Sequence, residues 1–129
     1  MNGFRYRREE AARRVNERRK REDEAPRLIA QVPKLLTLQL VIQELRGDIQ
    51  LDESRHVKHV VVQHAPALFD LPCHDQSCSD GGHDITSAIL RSLASGATRF
   101  EGKHECRGRT GSADCQRVLH YVGVATYGA

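Results

Sequence analysis

The sequence has no tryptophan, and aromatic residues make up only 5% of its 129 positions. A core must therefore be built from Leu, Val and Ile rather than from large rings. No apolar run approaches the ~20 residues of a membrane-spanning helix, so a helical membrane protein is not expected. Met1 to Glu10 is charged and lacks an apolar stretch. No secretory leader is expected on that ground, and a reducing, cytoplasmic setting is the expectation. Catalytic strings are missing as well. There is no HExxH, no G-x-S-x-G, and no H-x-E upstream of Pro72-Cys73, which the zinc deaminases would need. Asp75, Asp80 and Asp84 stand five and four apart with no closing Glu, unlike a calcium loop. These absences argue against an enzyme and against a small-molecule substrate.

Charge is present, and it is unevenly placed. Residues 1–27 carry ten Arg or Lys against six Asp or Glu, or +4. The other 102 residues carry ten basic and eleven acidic side chains, or −1, which makes the whole chain +3. The chain divides on this basis into a basic arm, 1–27, and a nearly neutral domain, 28–129. Residues 5–25 read as one helix, with Glu9–Arg13, Glu10–Arg14 and Glu17–Arg21 in the favourable (i, i+4) order. Its apolar content is thin, so it either lies across a partner or projects into water. Ala25-Pro26 should end it, because the residue before proline disfavours helix.

The domain alternates between strand and helix patterns. Residues 34–46 alternate, with Leu36, Leu38, Leu40 and Ile42 on one face and Thr37, Gln39, Val41 and Gln43 on the other. Residues 55–65 form a second strand around Val57, Val60, Val61 and Val62, expected to pair antiparallel with the first. Asp84 offers a helix N-cap, Ile85, Ala88, Ile89 and Leu93 recur at helical spacing, and Gly96 supplies a stop. Thr98 to Glu101 is the third predicted strand, Gly102 to Asp114 a Gly-rich loop, and 117–127 the fourth strand. His56, His59, His64 and His120 fall on these strands, where surface histidine is ordinary. The Arg46-Gly47-Asp48 string matches an integrin-binding triplet by chance. The sum is an α+β fold: a mainly antiparallel four-stranded sheet, one packed helix, two cysteine-bearing loops and the charged N-terminal helix.

Such a sheet has a modest core, and the four cysteines sit where a staple would help. Cys73-x4-Cys78 lies in one loop and Cys106-x8-Cys115 in another. Zn²⁺ takes four soft or borderline ligands at tetrahedral angles, and two close pairs can wrap it from two sides. The crosslink would tie together loops distant in sequence and contribute to folding. The predicted ligands are Cys73, Cys78, Cys106 and Cys115, with His83 in reserve; His74 and His104 also lie near cysteines. Reduced thiols, two local disulfides (Cys73–Cys78 and Cys106–Cys115) and a catalytic metal are the rivals. Over residues 70–120 the arrangement resembles small zinc-ribbon-like domains, which implies zinc held between two cysteine-bearing loops. Gly81-Gly82 before the helix could present amides to an anion, though a tight turn is the plainer reading.

Function follows as an expectation. A non-catalytic, zinc-stabilised binding module is expected, engaging nucleic acid (RNA) or a ribonucleoprotein through Arg5, Arg7, Arg8, Arg13, Arg14, Arg18, Arg19, Lys20 and Arg21. The sheet lacks the paired aromatics that stack bases, so phosphate contacts rather than base readout are the expected mode. The alternative is a protein–protein adaptor or homo-oligomerising module that docks on an acidic protein surface or a second copy through Phe4, Tyr6, Ala12 and Val15.

Overall fold

A computed structural model describes residues 3–129 apart from Gln76; the side chains of residues 3–7 are not among those described. The expectations placed on Arg5, Arg7, Phe4 and Tyr6 therefore lie outside the described residues. No helix of the described residues is long and apolar enough to cross a membrane.

The charged helix α1 runs Gly3–Glu24 and stops just before Ala25-Pro26. The chain then enters the domain at once. The Leu28 amide bonds the Ala65 carbonyl at 3.0 Å, the Ala67 amide bonds the Pro26 carbonyl at 2.7 Å, and Leu28 is fully buried in a one-turn helix α2, Leu28–Gln31. This turn was not anticipated, because two apolar residues after a proline carry no period.

Strand β1, Leu35–Arg46, is the spine of the sheet. It pairs antiparallel along its whole length with β10, Arg117–Tyr127, from Leu35 opposite Tyr127 to Arg46 opposite Arg117. Outside β10 lies β7, Arg99–Glu105. The free edge of β1 is shared by β2, Ile49–Gln50, and β3, His56–Val60. The expected four-stranded sheet thus has five strands, because β2 takes the end of the β1 edge that β3 does not reach.

Three details differ from the sequence reading, each for a local reason. A register shift between Leu35 and Thr37 puts Leu35 inside and leaves Leu36 55% exposed, since an added residue reverses side-chain parity. The second strand ends at Val60, and Val61 to Ala65 form a turn closed by the Ala65 amide on the Val61 carbonyl, which removes His64 from the sheet. The third strand does not stop at Gly102. A Cβ on that glycine would lie 2.4 Å from the Tyr121 Oη, and one on Gly123 would lie 2.2 Å from the Phe100 ring. Each is a strand position whose side-chain space is taken by the aromatic directly opposite in register.

Helix α3, Thr86–Ala94, lies against the inward face and buries Ile89 and Leu93. Asp84 is a strand residue rather than its cap, yet its carboxylate still accepts the Thr86 amide at 3.1 Å. The main core joins Leu38, Leu40, Tyr121 and Ala125 of the sheet with Leu28, Val62, Phe69, Ile85, Ile89 and Leu93.

Two small ribbons complete the molecule. In one, β4 (Asp70–Leu71) pairs with β6 (His83–Asp84). In the other, β5 (Cys78–Ser79) pairs with β8 (Arg109–Thr110), which turns into β9 (Ala113–Asp114).

Candidate metal centre

Each cysteine is placed by one of these short elements. Cys73 follows β4, and Cys78 opens β5 after a turn in which its amide bonds the Asp75 carbonyl at 3.1 Å. Cys106 directly follows β7 and bonds back to the Arg117 carbonyl at 3.0 Å. The Cys115 amide bonds the Gly108 carbonyl at 2.8 Å, just before β10. Because β7 runs three residues past Gly102, Cys106 sits directly after a sheet strand, where the loop to Cys115 begins.

The four sulfurs converge, all lying within 4.8 Å of one another. Cys78 Sγ is 3.6 Å from Cys106 Sγ, and Cys73 Sγ is 3.8 Å from Cys115 Sγ. These two contacts join the two sequence pairs, and Cys106 also meets Cys115 within its own pair. All four cysteines are free, and three are buried. A disulfide would need ~2.05 Å. A tetrahedral ion with Zn–S near ~2.3 Å sets its ligand sulfurs ~3.8 Å apart, which these separations match. The backbone is moulded to the sulfurs as well. A Cβ on Gly81 would sit 2.5 Å from both Cys78 and Cys106 Sγ, and one on Gly108 would sit 2.4 Å from Cys78 Sγ. The Gly82 amide donates to Cys106 Sγ at 3.4 Å. The Gly81-Gly82 pair thus wraps a sulfur rather than an external anion.

Electrostatics give the cluster its chemistry. Burial raises the Cys73 thiol well above its ordinary range, with the Glu44 carboxylate adding to the effect. Burial and the neighbouring sulfurs push Cys78 up to about 12. Burial works against ionisation of Cys106 too, but amide hydrogen bonds from Gly108 and Gly82 outweigh it and lower that thiol. Four sulfurs this close, three of them buried, repel one another as thiolates, and a divalent cation would remove that repulsion. Four thiolates would fill a tetrahedral shell and leave no open position, the arrangement of structural sites.

Beside the sulfurs lies a group that sequence reasoning missed. Glu44 is 2% exposed, and its Oε2 is 3.1 Å from Nε2 of the fully buried His83. Its Oε1 accepts the His74 amide at 2.7 Å. His83 Nδ1 is in turn 3.0 Å from His104 Nδ1. Burial acts to raise the Glu44 carboxyl. The hydrogen bonds from His83 and the His74 amide, with the charges of His83 and Arg117, outweigh burial and hold it below the ordinary value. His83 lies outside the four-sulfur set and belongs instead to a second cluster with Glu44 and Cys73. Glu44 had a signal: it continues the inward parity of Leu38, Leu40 and Ile42, where a carboxylate is out of place.

The basic helix is docked on the domain rather than extended from it. Arg14 donates to the Cys78 carbonyl at 3.2 Å, Arg18 approaches Asp70 at 3.8 Å, and Arg21 pairs with the same carboxylate. Spacings of four and three put these arginines on one helix face. The Glu10 carboxylate bonds Arg13 and lies 3.6 Å from Arg14. Arg8, Arg13, Arg19 and Lys20 are exposed. Between α1 and the metal-site loops runs a cleft of about 750 Å³, which also reaches His104, Asp84 and Arg107. Of the remaining histidines, His56 and His59 are exposed on β3, and His120 contacts Glu101 at 3.2 Å on the sheet surface.

Comparison with known proteins finds no matching family model, no similar curated protein and no similar solved structure.

Proposed function

We propose that this protein is a non-catalytic binding module stapled by zinc. One observation carries the reading: four free thiols from two distant loops stand at the edge lengths of a sulfur tetrahedron, with a backbone cradle that leaves no room for larger residues. A borderline ion that accepts four thiolates, Zn²⁺ above all, is the natural occupant. Two cysteine-bearing loops around one ion, one of them carried on a β-ribbon, support a zinc-ribbon-like arrangement. Stable free thiols suit a reducing compartment such as the cytoplasm.

The partner in this reading is a polyanion of the RNA or ribonucleoprotein class, met by the outward cations Arg8, Arg13, Arg19 and Lys20. Arg14, Arg18 and Arg21 act as fasteners that hold the helix on the domain. A protein-adaptor reading is favoured by a different observation: exposed Glu17 interrupts those cations, exposed Glu22, Asp23 and Glu24 follow them, and Ala12 and Val15 are exposed beside them.

Two measurements test this. Purified protein should contain about one zinc per chain and lose the order of the two cysteine-bearing ribbons in a chelator; metal-free protein whose ribbons stay ordered would overturn the staple. RNA binding at low and high salt separates the partners. Binding that weakens steeply with salt, and falls when Arg8, Arg13, Arg19 and Lys20 are changed together to Ala, supports the polyanion. No binding at low salt would leave the adaptor, to be read as self-association of the full chain by sedimentation.

A further inference from the structure

Beyond the four-sulfur site, and resting on that reading, we propose a second divalent-metal site whose protein ligands are Glu44, His83 and Cys73, with the Cys73 sulfur shared between the two ions. One donor atom from each of these three residues lies within 4.8 Å of the others. Glu44 Oε2 and His83 Nε2, at 3.1 Å, already stand at the separation of two donors on one tetrahedral ion, ~3.3 Å for bonds of ~2.05 Å.

Both side chains carry the outer hydrogen bonds that metal ligands need. A ligating imidazole donates its other N–H, which fixes its tautomer and aims its lone pair. For His83 bound through Nε2, that partner is in place: His104 Nδ1, at 3.0 Å. The oxygen of Glu44 that faces away from His83 is held by the His74 amide at 2.7 Å. Cys73 is the least buried of the four cysteines, which gives an ion a route in.

Charge supports a second cation. A metallated tetrathiolate carries −2, and the buried Glu44 beside it brings the total to −3. A second divalent ion reduces this to −1. Arg117 offsets part of that remainder: its charge acts on Glu44, while its Nε approaches Asp75 at 4.0 Å and its Nη1 is buried with no hydrogen-bond partner among the described residues. Uncompensated buried charge of this size is otherwise costly. Mixed sulfur, nitrogen and oxygen donors suit a borderline ion of the zinc class rather than Mg²⁺ or Ca²⁺. Three protein donors leave the fourth position of this ion to an exchangeable water.

The test is a cobalt titration of the full metal-free chain. The first equivalent should show the absorption of a four-sulfur site. A second should bind with weaker sulfur character, and the two ions should couple magnetically through the shared thiolate. Glu44→Gln and His83→Gln should each weaken the second equivalent at least about tenfold and leave the first unchanged. Saturation at one four-sulfur cobalt per chain overturns the second site and leaves the staple standing. Two uncoupled ions, or a second equivalent indifferent to Glu44→Gln, also overturn it. Binding of no cobalt overturns both sites. If either variant fails to fold, the wild-type count and coupling decide alone.

Discussion

The inward face of the sheet changes character partway along the same three strands. At one end, Leu38 lies opposite Ala125, and Leu40 opposite Gly123, which in turn faces Phe100. At the other end, Glu44 lies opposite Leu119, which faces His104, and His83 reaches over Leu119 to join the two polar side chains. Backbone pairing is continuous through both ends. The difference lies in what covers them: α3 with its Ile89 and Leu93 over the first, two ribbons carrying sulfur and imidazole over the second. One end is held by burial of apolar area, which needs no particular partner. The other is held by polar and metal-binding groups, each of which fails if its partner is removed. A single sheet can thus support a generic core and a specific site side by side.

Perturbations should break the two ends separately. The largest effect is expected at the metal end, where chelation or Cys106→Ser withdraws binding free energy on the order of 10 kcal/mol from the loops. Amide exchange in residues 70–84 and 106–116 should accelerate strongly, while the β1–β10 ladder stays protected. The same centre should bind zinc more weakly as pH falls, because protons compete for thiolates. With Cys78 pushed up to about 12, metal uptake at neutral pH should release protons, measurable as a buffer-dependent binding enthalpy. Next in size, Leu40→Ala should cost about 2–5 kcal/mol in global unfolding and leave the zinc content unchanged. Gly123→Ala should cost about 1–3 kcal/mol, since the new methyl would meet the Phe100 ring, again without metal loss. Smallest, Asp70→Asn loosens α1 from the domain by about 0.2–1 kcal/mol, because Arg21 is half exposed and the pairing is screened. Limited proteolysis within residues 8–24 should rise, and added salt should mimic the substitution.

The apolar end was legible in the sequence because it is periodic. Leu38, Leu40 and Ile42 mark β1, and Ile85, Ile89 and Leu93 mark the helix, since burial against one face imposes spacings of two and of three or four. The bulge that turns Leu36 outward was not legible, because a parity shift leaves no mark in composition. Nor was the length of β7. Gly102 reads as a loop residue until Tyr121 is known to lie across from it. At the other end the four cysteines that converge were named by residue type and spacing. That all four sulfurs come within 4.8 Å of one another depends on how two ribbons meet. Glu44 and His104 sit 60 positions apart in sequence, and only a shared row of the sheet makes them neighbours.

What the sequence determined by itself was the main strands and helices and the chemical identity of the candidate ligand atoms, because periodicity and side-chain type are local properties. What only the tertiary structure decided was which donors share one space: that α1 spends Arg14, Arg18 and Arg21 on its own domain, and that Glu44, His83 and Cys73 meet beside the sulfurs. Those facts are set by strand register and by the packing of short ribbons, where distance in the chain carries no information about distance in space.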